Sequence, residues 1–311
     1  MATYLVTGGA GFIGSHIVDA LLARGESVRV VDNFATSSRE ALKAVKDKIT
    51  LYEVDIVNLA ALREAMQGVE YVIHQAAIPS VPRSVADPLL THESCATGTL
   101  NVLIAARDAK VKRVVYAASS SAYGDIEGTY KTEDMPPRPL SPYAVAKLIG
   151  EQYCQVFHGV YGLETVALRY FNVFGPRQDP YSPYSAVIPL FIKAMLEGKR
   201  PTVFGDGTQS RDFTYIDNVV HGNLLACHAD SRVAGQIINL ACGQSISLLD
   251  LIAAINDLLG THIEPIFAEP RAGDVKHSCA DIQRAGELLG FEPTVSFEEG
   301  LRHTLAWLKN A

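Results

Sequence analysis

Apolar residues occur in short runs at one spacing and then at another, and the switch repeats through the first half of the chain. Tyr4, Leu5 and Val6 suit a buried parallel strand, whereas Phe12, Ile13, Ile17, Leu21 and Leu22 recur at helical spacing up to Arg24-Gly25. A second strand is expected over residues 27–31. A polar stretch, 33–39, and a short helix then lead to a strand over 49–54, a helix over 58–66 and a strand over 71–74. Residues 79–88 contain Pro79, Pro82 and Pro88 and read as a loop, followed by a long helix over 89–109 and a fifth strand over 113–118. Strand and helix in alternation predict an α/β fold with a doubly wound parallel sheet, whose ligands meet the carboxyl ends of the strands.

The first strand runs straight into Gly8-Gly9-Ala10-Gly11-Phe12-Ile13-Gly14. In a strand-to-helix turn, Gly8 permits the tight bend, Gly11 lets a pyrophosphate approach backbone amides, and Gly14 lets the helix pack close to the strand. A Gly-x-x-Gly-x-x-Gly spacing alone also suits a turn made for geometry, but here the second strand ends in Asp32, 18 residues beyond Gly14. Its carboxylate can accept from both hydroxyls of an adenosine ribose and would repel a 2′-phosphate, so NAD is favoured over NADP. The expected cofactor set is Gly8, Gly11, Phe12, Ile13, Gly14, Asp32, Asn33, Asp55, Ile56, Ala76 and Ala77, all at strand ends or in the turn, joined by Tyr143 and Lys147 below. Asp55 has two readings, an acceptor for the adenine amino group or an N-cap of the 58–66 helix. His74 reads as structural.

From residue 168 turns dominate. A helix opens at Ala186-Val187-Ile188-Pro189, residues 202–204 form a short strand, and Gly205-Asp206-Gly207 turns the chain before Ser210-Arg211-Asp212-Phe213. The expected organisation is a Rossmann domain over 1–168, to whose sheet 212–242 returns, and a smaller, discontinuous mixed α/β substrate domain over 169–311. Residues 246–311 are expected to hold two helices. The net charge of -7 disfavours a nucleic-acid partner. No apolar run is long enough to cross a bilayer, and no export signal precedes the first strand, so no membrane partner and a cytoplasmic location are expected. Cys95, Cys154, Cys227, Cys242 and Cys279 are scattered, without metal-ligand spacing, so the expectation is reduced thiols and no metal.

The fifth strand ends at Ser119-Ser120-Ser121-Ala122-Tyr123. Downstream, Ser141-Pro142 is a helix start, with serine as N-cap and proline in the first turn, which places Tyr143 and Lys147 one turn apart on one face. An ammonium beside a phenol would lower its pKa toward neutrality and make the tyrosine a usable base. Together, Gly8-x-x-Gly11-x-x-Gly14, the Ser119 cluster and Tyr143-x-x-x-Lys147 resemble the extended short-chain dehydrogenase/reductase superfamily over nearly the whole chain.

Within that superfamily the sequence is most similar to nucleotide-sugar 4-epimerases acting on UDP-hexoses. The resemblance gives Ser119 the catalytic hydroxyl position, beside Tyr143 and Lys147. Related dehydratases carry Asp-Glu, and decarboxylases a Glu, where this chain has Ser120 and Ser121, which disfavours elimination and decarboxylation. It also implies a uridine diphosphate anchor from Asn172, Arg211 and Arg271, with Asp274 on the uridine ribose. Ser278 falls at a gatekeeper position beside the sugar, small enough for a 2-acetamido group. Arg83, Ser120, Ser121, Val187 and Phe204 complete the expected substrate set. One departure is Cys95, where the family usually has Asn. The implied reaction is oxidation at C4 to a keto sugar, rotation of the sugar, and return of the hydride to its other face, with NAD retained and Lys147 also holding the nicotinamide ribose. The implied assembly is a homodimer through helices 89–109 and 142–158. Two rivals stand beside this reading: a UDP-glucuronate 4-epimerase, with Arg177 or the three serines receiving the carboxylate, and a non-catalytic NAD-binding sensor.

Overall fold

The computed structural model describes residues 1–310 apart from 127, 129, 182–184 and 271–274. Seven parallel strands form the central sheet in the order Gln236–Leu240, Glu164–Tyr170, Arg113–Ser119, Tyr71–His74, Thr3–Thr7, Ser27–Val31, Ile49–Tyr52. The order reverses direction between Thr3–Thr7 and Tyr71–His74, and a crevice opens at the strand ends there.

Side chains along each strand alternate between two apolar layers, as the strand period of two requires. Tyr4 and Val6 join Ile17, Val18 and Leu21 of the helix Phe12–Ala23, together with Val219 and Leu224 of the helix Ile216–His228. Leu5 faces the other way, into a layer with Leu62, Val102, Leu103 and Phe157 from three further helices. Apolar residues pointing both ways in strands so short explain why these segments read as unbroken hydrophobic runs.

The structure adjusts several expected boundaries. The third strand stops at Tyr52, where the Val54 amide turns back to the Tyr52 carbonyl at 3.0 Å. The expected helix over 89–109 is a helical run from Pro88 to Asp108 that widens into a π-helical turn at Glu93–Thr97. The helix that begins at Pro142 runs on to Tyr161, where Gly162 ends it at φ 69°. Among the described residues of 246–311 there are three helices, Leu248–Leu259, Gln283–Leu289 and Phe297–Asn310, rather than two; the second is only 7 residues long, too short for its periodicity to register.

The strand Gln236–Leu240 pairs with Glu164–Tyr170 at one edge of the sheet. Nearby, the buried Arg113 gives Nη1 to the carbonyls of Ala226 (2.9 Å), Cys227 (3.3 Å) and Ala229 (2.8 Å), and its other nitrogens to Glu164. Over the crevice, Ser210–Arg211 is the middle strand of a small sheet between Ile246–Ser247 and His277–Ser278.

Candidate active site

A cleft of about 1090 Å³ follows the carboxyl ends of the strands. At one end lies the glycine turn. Gly8 has φ 66°, and a Cβ on Gly14 would stand 2.1 Å from the Gly8 carbonyl oxygen, so the approach of helix to strand excludes any side chain. Gly11 caps the helix Phe12–Ala23 with no side-chain hydrogen bond, an N-terminus of the kind that receives phosphate. Phe12, Ile13, Gly14, Asn33, Ile56, Ala76 and Ala77 all line this cleft.

Asp32 lies at the second strand's end, largely buried, and accepts from Ala10 N (2.9 Å), Phe34 N (2.8 Å) and Ser37 Oγ (2.8 Å). Those bonds fix the orientation of the carboxylate at the cleft wall. Asp55 accepts from Asn33 Nδ2 at 2.6 Å and from Val57 N at 3.0 Å, and it lines the cleft. It does not cap the next helix: Asn58 does, accepting from Ala61 N at 3.1 Å, so the second reading of Asp55 falls away. His74 is buried between Thr7 Oγ1 (2.7 Å) and Thr99 Oγ1 (3.0 Å), and burial pulls its pKa down to about 3, leaving a neutral ring with a structural role.

The strand Arg113–Ser119 delivers Ser119 to the middle of the cleft, where its Oγ accepts from Ser121 N (3.2 Å) and Ser121 Oγ (2.8 Å). Across from it Ser141 accepts from Ala144 N at 3.2 Å, fixing the start of the helix Pro142–Tyr161. Tyr143, in its first turn, lies beside Ser119 on the cleft, and the Ser119 hydroxyl acts to lower its pKa. Lys147 departs from the expected arrangement. Its buried ammonium donates to the Ala117 carbonyl at 2.8 Å and lies 5.0 Å over the Tyr116 ring, rather than bonding the phenol. Burial therefore raises the Tyr143 pKa, with only the Ser119 bond opposing, and burial lowers that of Lys147. The expectation that Lys147 by itself brings the phenol toward neutrality is corrected: side chains one turn apart on a helix share a face, but this ammonium has been turned inward by a strand carbonyl.

Under this helix is a buried ion pair. Glu151, one turn beyond Lys147, takes Arg169 Nε at 2.9 Å and Nη2 at 2.7 Å, and the guanidinium lies 4.5 Å from the Tyr123 ring centre. Tyr123 closes the serine turn and donates to Asn239 Oδ1 at 2.7 Å. Cys95 sits in the π-helical turn, buried against Ala96 and Ala146 with Ala77 and Tyr143 alongside, so the thiol packs behind the cleft wall.

At the far end Ser120, Ser121, Arg83, Asn172, Arg211 and Ser278 line the cleft. A smaller cavity of about 290 Å³ adjoins it, lined by Asn172, Arg211, Val187 and Phe204. Arg271 and Asp274 lie outside the described residues. Arg177 is not on the cleft: it pairs with Asp19 at 2.9 Å and donates to His16 at 3.2 Å, anchoring its loop to the first helix, so the idea that it receives a substrate carboxylate is withdrawn. Lys131 is a cleft residue that sequence reasoning missed, a buried ammonium donating to the Ile126 carbonyl. Ser37 is another; the polar run directly after Asp32 was the available signal. Among the described residues, no three His, Cys, Asp or Glu side chains gather to hold a metal ion, and no helix is long and apolar enough to cross a membrane.

A family model described as NAD dependent epimerase/dehydratase matches residues 4–241. The UDP-glucose 4-epimerase of Mycolicibacterium smegmatis is 38% identical over 311 residues, 98% of each chain. Among solved structures, the UDP-N-acetylglucosamine 4-epimerase of Methanobrevibacter ruminantium, in complex with UDP-N-acetylmuramic acid, superposes with a TM-score of 0.95 at 41% identity, over 99% of this chain and 98% of that one. The UDP-glucuronic acid 4-epimerase of Bacillus cereus, in complex with UDP-glucuronic acid and NAD, gives 0.92 at 36% identity, over 99% of both chains.

Proposed function

From the premise that this chain belongs to the NAD-dependent epimerase/dehydratase family, with NAD as its cofactor, we propose that it interconverts UDP-hexoses at C4 through a transient 4-keto sugar. The observation that carries the reading is one cleft holding three things: a phosphate-accepting glycine turn with Asp32 beyond it, the Ser119-Tyr143-Lys147 set, and an end with Asn172, Arg211 and Ser278. The glycine turn and Asp32 suit NAD: an open helix N-terminus would receive its pyrophosphate, and the Asp32 carboxyl would accept from a ribose diol.

Tyr143 takes the proton of the sugar 4-hydroxyl, and Ser119 holds that oxygen through its hydroxyl. When bound, NAD would supply the hydride acceptor and donor for C4 and a positively charged ring, a charge that Lys147 by itself does not bring to the phenol. Lys147, fixed by the Ala117 carbonyl, has further donors for a ribose hydroxyl and keeps the cation beneath the reacting face. Asn172 and Arg211, at the junction of the two cavities, hold the diphosphate and uridine while the hexose turns.

We assign UDP-glucose/UDP-galactose and UDP-N-acetylglucosamine/UDP-N-acetylgalactosamine as substrates, because Ser278 presents a small side chain to the cleft. UDP-glucuronate is the second reading, kept by the hydroxyls of Ser119 to Ser121 beside the sugar position. We divide the chain into a cofactor part, 1–168 with 212–242, and a smaller substrate part within 169–311. We also propose a homodimer. Val85, Leu89, Val156 and Val160 are exposed apolar residues on packed neighbouring helices, a surface that a second copy would cover. Incubating the protein separately with UDP-glucose, UDP-N-acetylglucosamine and UDP-glucuronate and resolving the products by anion exchange tests the activity. Conversion of the first two is expected, and conversion of none would refute the reading.

A further inference from the structure

Behind the cleft wall lies one acidic side chain that lines neither cavity. Asp212 is 0% exposed, and its carboxylate is met by three backbone amides and a thiol: Cys242 N on Oδ1 at 3.0 Å, and Gly243 N at 2.9 Å, Ala280 N at 3.1 Å and Cys279 Sγ at 3.8 Å on Oδ2. No ion pair to it exists among the described residues. Those donors come from two segments of the chain, the loop after Gln236–Leu240 and the residues directly beyond the strand His277–Ser278. The backbone of Asp212 carries the rest. Its N–H donates to the Ser278 carbonyl at 2.7 Å, its carbonyl accepts from Asn172 Nδ2 at 3.2 Å, and its peptide neighbour is Arg211.

We propose that Asp212 is a positioning residue for the nucleotide-sugar end of the cleft, fixing Asn172, Arg211 and Ser278 relative to one another without touching substrate. This rests on the reading of those three residues given above. A buried carboxylate with no counter-ion among the described residues must be hydrogen-bonded on both oxygens to persist, and its donors lie in the loop at Cys242 and Gly243 and directly beyond Ser278, so they pin the Asp212 backbone that in turn meets Asn172 and Ser278. The carboxylate thus ties the loop at Cys242 and Gly243 to Cys279 and Ala280, directly beyond the point where Ser210–Arg211 and His277–Ser278 pair in the small sheet. Rigid placement of binding groups acts on affinity before chemistry, since Tyr143 and Lys147 stand on a different helix.

Asp212→Asn is the test, made in the NAD-loaded protein. The amide nitrogen cannot accept, so at least one N–H faces a donor instead of an oxygen. Hydrogen bonds to charged groups carry enough free energy for UDP affinity by calorimetry, and the KM for the UDP-sugar, to worsen about 10- to 100-fold. The kcat should stay within about 3-fold and bound NAD should be unchanged. Unaltered UDP affinity, or a loss confined to kcat, overturns the proposal. General loosening is checked with Ile252→Ala, a core truncation in the helix Leu248–Leu259; if it raises KM as much at equal loss of stability, the proposal is likewise overturned. Should Asp212→Asn not fold, Cys279→Ala decides: a weakening of UDP binding by a few-fold supports the proposal, and no change overturns it. Arg211→Ala separates the two levels. If it leaves UDP affinity unchanged, the reading of Arg211 as an anchor fails and this inference with it. If it weakens UDP binding while Asp212→Asn does not, only the inference fails.

Discussion

Removing Glu151 should destabilise the protein far more than removing the whole pair it belongs to. Glu151 is 0% exposed and Arg169 is 2% exposed in its side chain. One guanidinium nitrogen, Nη1, already has no partner, so Glu151→Leu would leave the remaining bonded donors, Nε and Nη2, unsatisfied as well and a cation buried without its counter-charge. Breaking a buried pair on one side typically costs about 3 to 5 kcal/mol, whereas replacing both partners by apolar side chains of similar volume is often neutral or stabilising. The double variant Glu151→Leu/Arg169→Met should therefore recover most of the loss, leaving it within about 1 to 2 kcal/mol of wild type. Urea unfolding of NAD-saturated protein, followed by circular dichroism, measures all three. A single variant within about 1 kcal/mol of wild type would refute the reasoning, as would a double variant no better than the single.

Gly14→Ala should yield protein without bound NAD, because the new Cβ falls 2.1 Å from the Gly8 carbonyl oxygen; a wild-type cofactor content would contradict this. Tyr143→Phe should lower turnover by at least about 100-fold while UDP affinity stays within a few-fold, and a near-normal rate would end the assignment of the base. Ser278→Tyr should cut activity on UDP-N-acetylglucosamine by roughly 5- to 150-fold and spare UDP-glucose; equal loss on both would remove the position as a selector. Burial raises the Asp212 carboxyl to about 6, above its value of about 3.9 in an unfolded chain, so its contribution to stability is present at low pH and is lost as pH rises through 6. Between pH 5 and 7 the wild type should lose about 1 kcal/mol relative to Asp212→Asn. The neighbouring thiols of Cys242 and Cys279 are pushed up to about 12 and stay neutral, so they do not contribute to this difference. Parallel pH profiles would dismiss Asp212 as the titrating group.

What could be read from the sequence is what local spacing encodes. The unbroken apolar run at residues 4–6, buried on both faces, and the helical spacing from Phe12 to Leu22 follow from which faces meet a core, and the strand Tyr71–His74 was placed to the residue. The glycine turn, Asp32 and the one-turn separation of Tyr143 and Lys147 are likewise short-range. What escaped depends on partners brought close by the fold. Lys147 bonds a carbonyl 30 residues earlier in the chain, and Arg177 pairs with Asp19, 158 positions away. Nothing near either residue in sequence names its acceptor. The π-helical turn at Glu93–Thr97 escaped for another reason: one extra residue in a helical turn leaves the apolar pattern almost unchanged.

The edge strand Gln236–Leu240 and the cradle of carbonyls around Arg113 have a consequence for the order in which the chain is made. When Tyr170 has left a ribosome, the strand it closes has one open edge, and the Arg113 guanidinium still lacks the carbonyls of Ala226, Cys227 and Ala229. About 65 more residues must be synthesised before Gln236 appears, roughly 3 to 13 s at ordinary elongation rates. For that interval the nascent chain exposes an unpaired strand edge, which a second nascent chain on the same message can match. Pausing within residues 171–235 should therefore lower the yield of native protein more than an equal pause after residue 240.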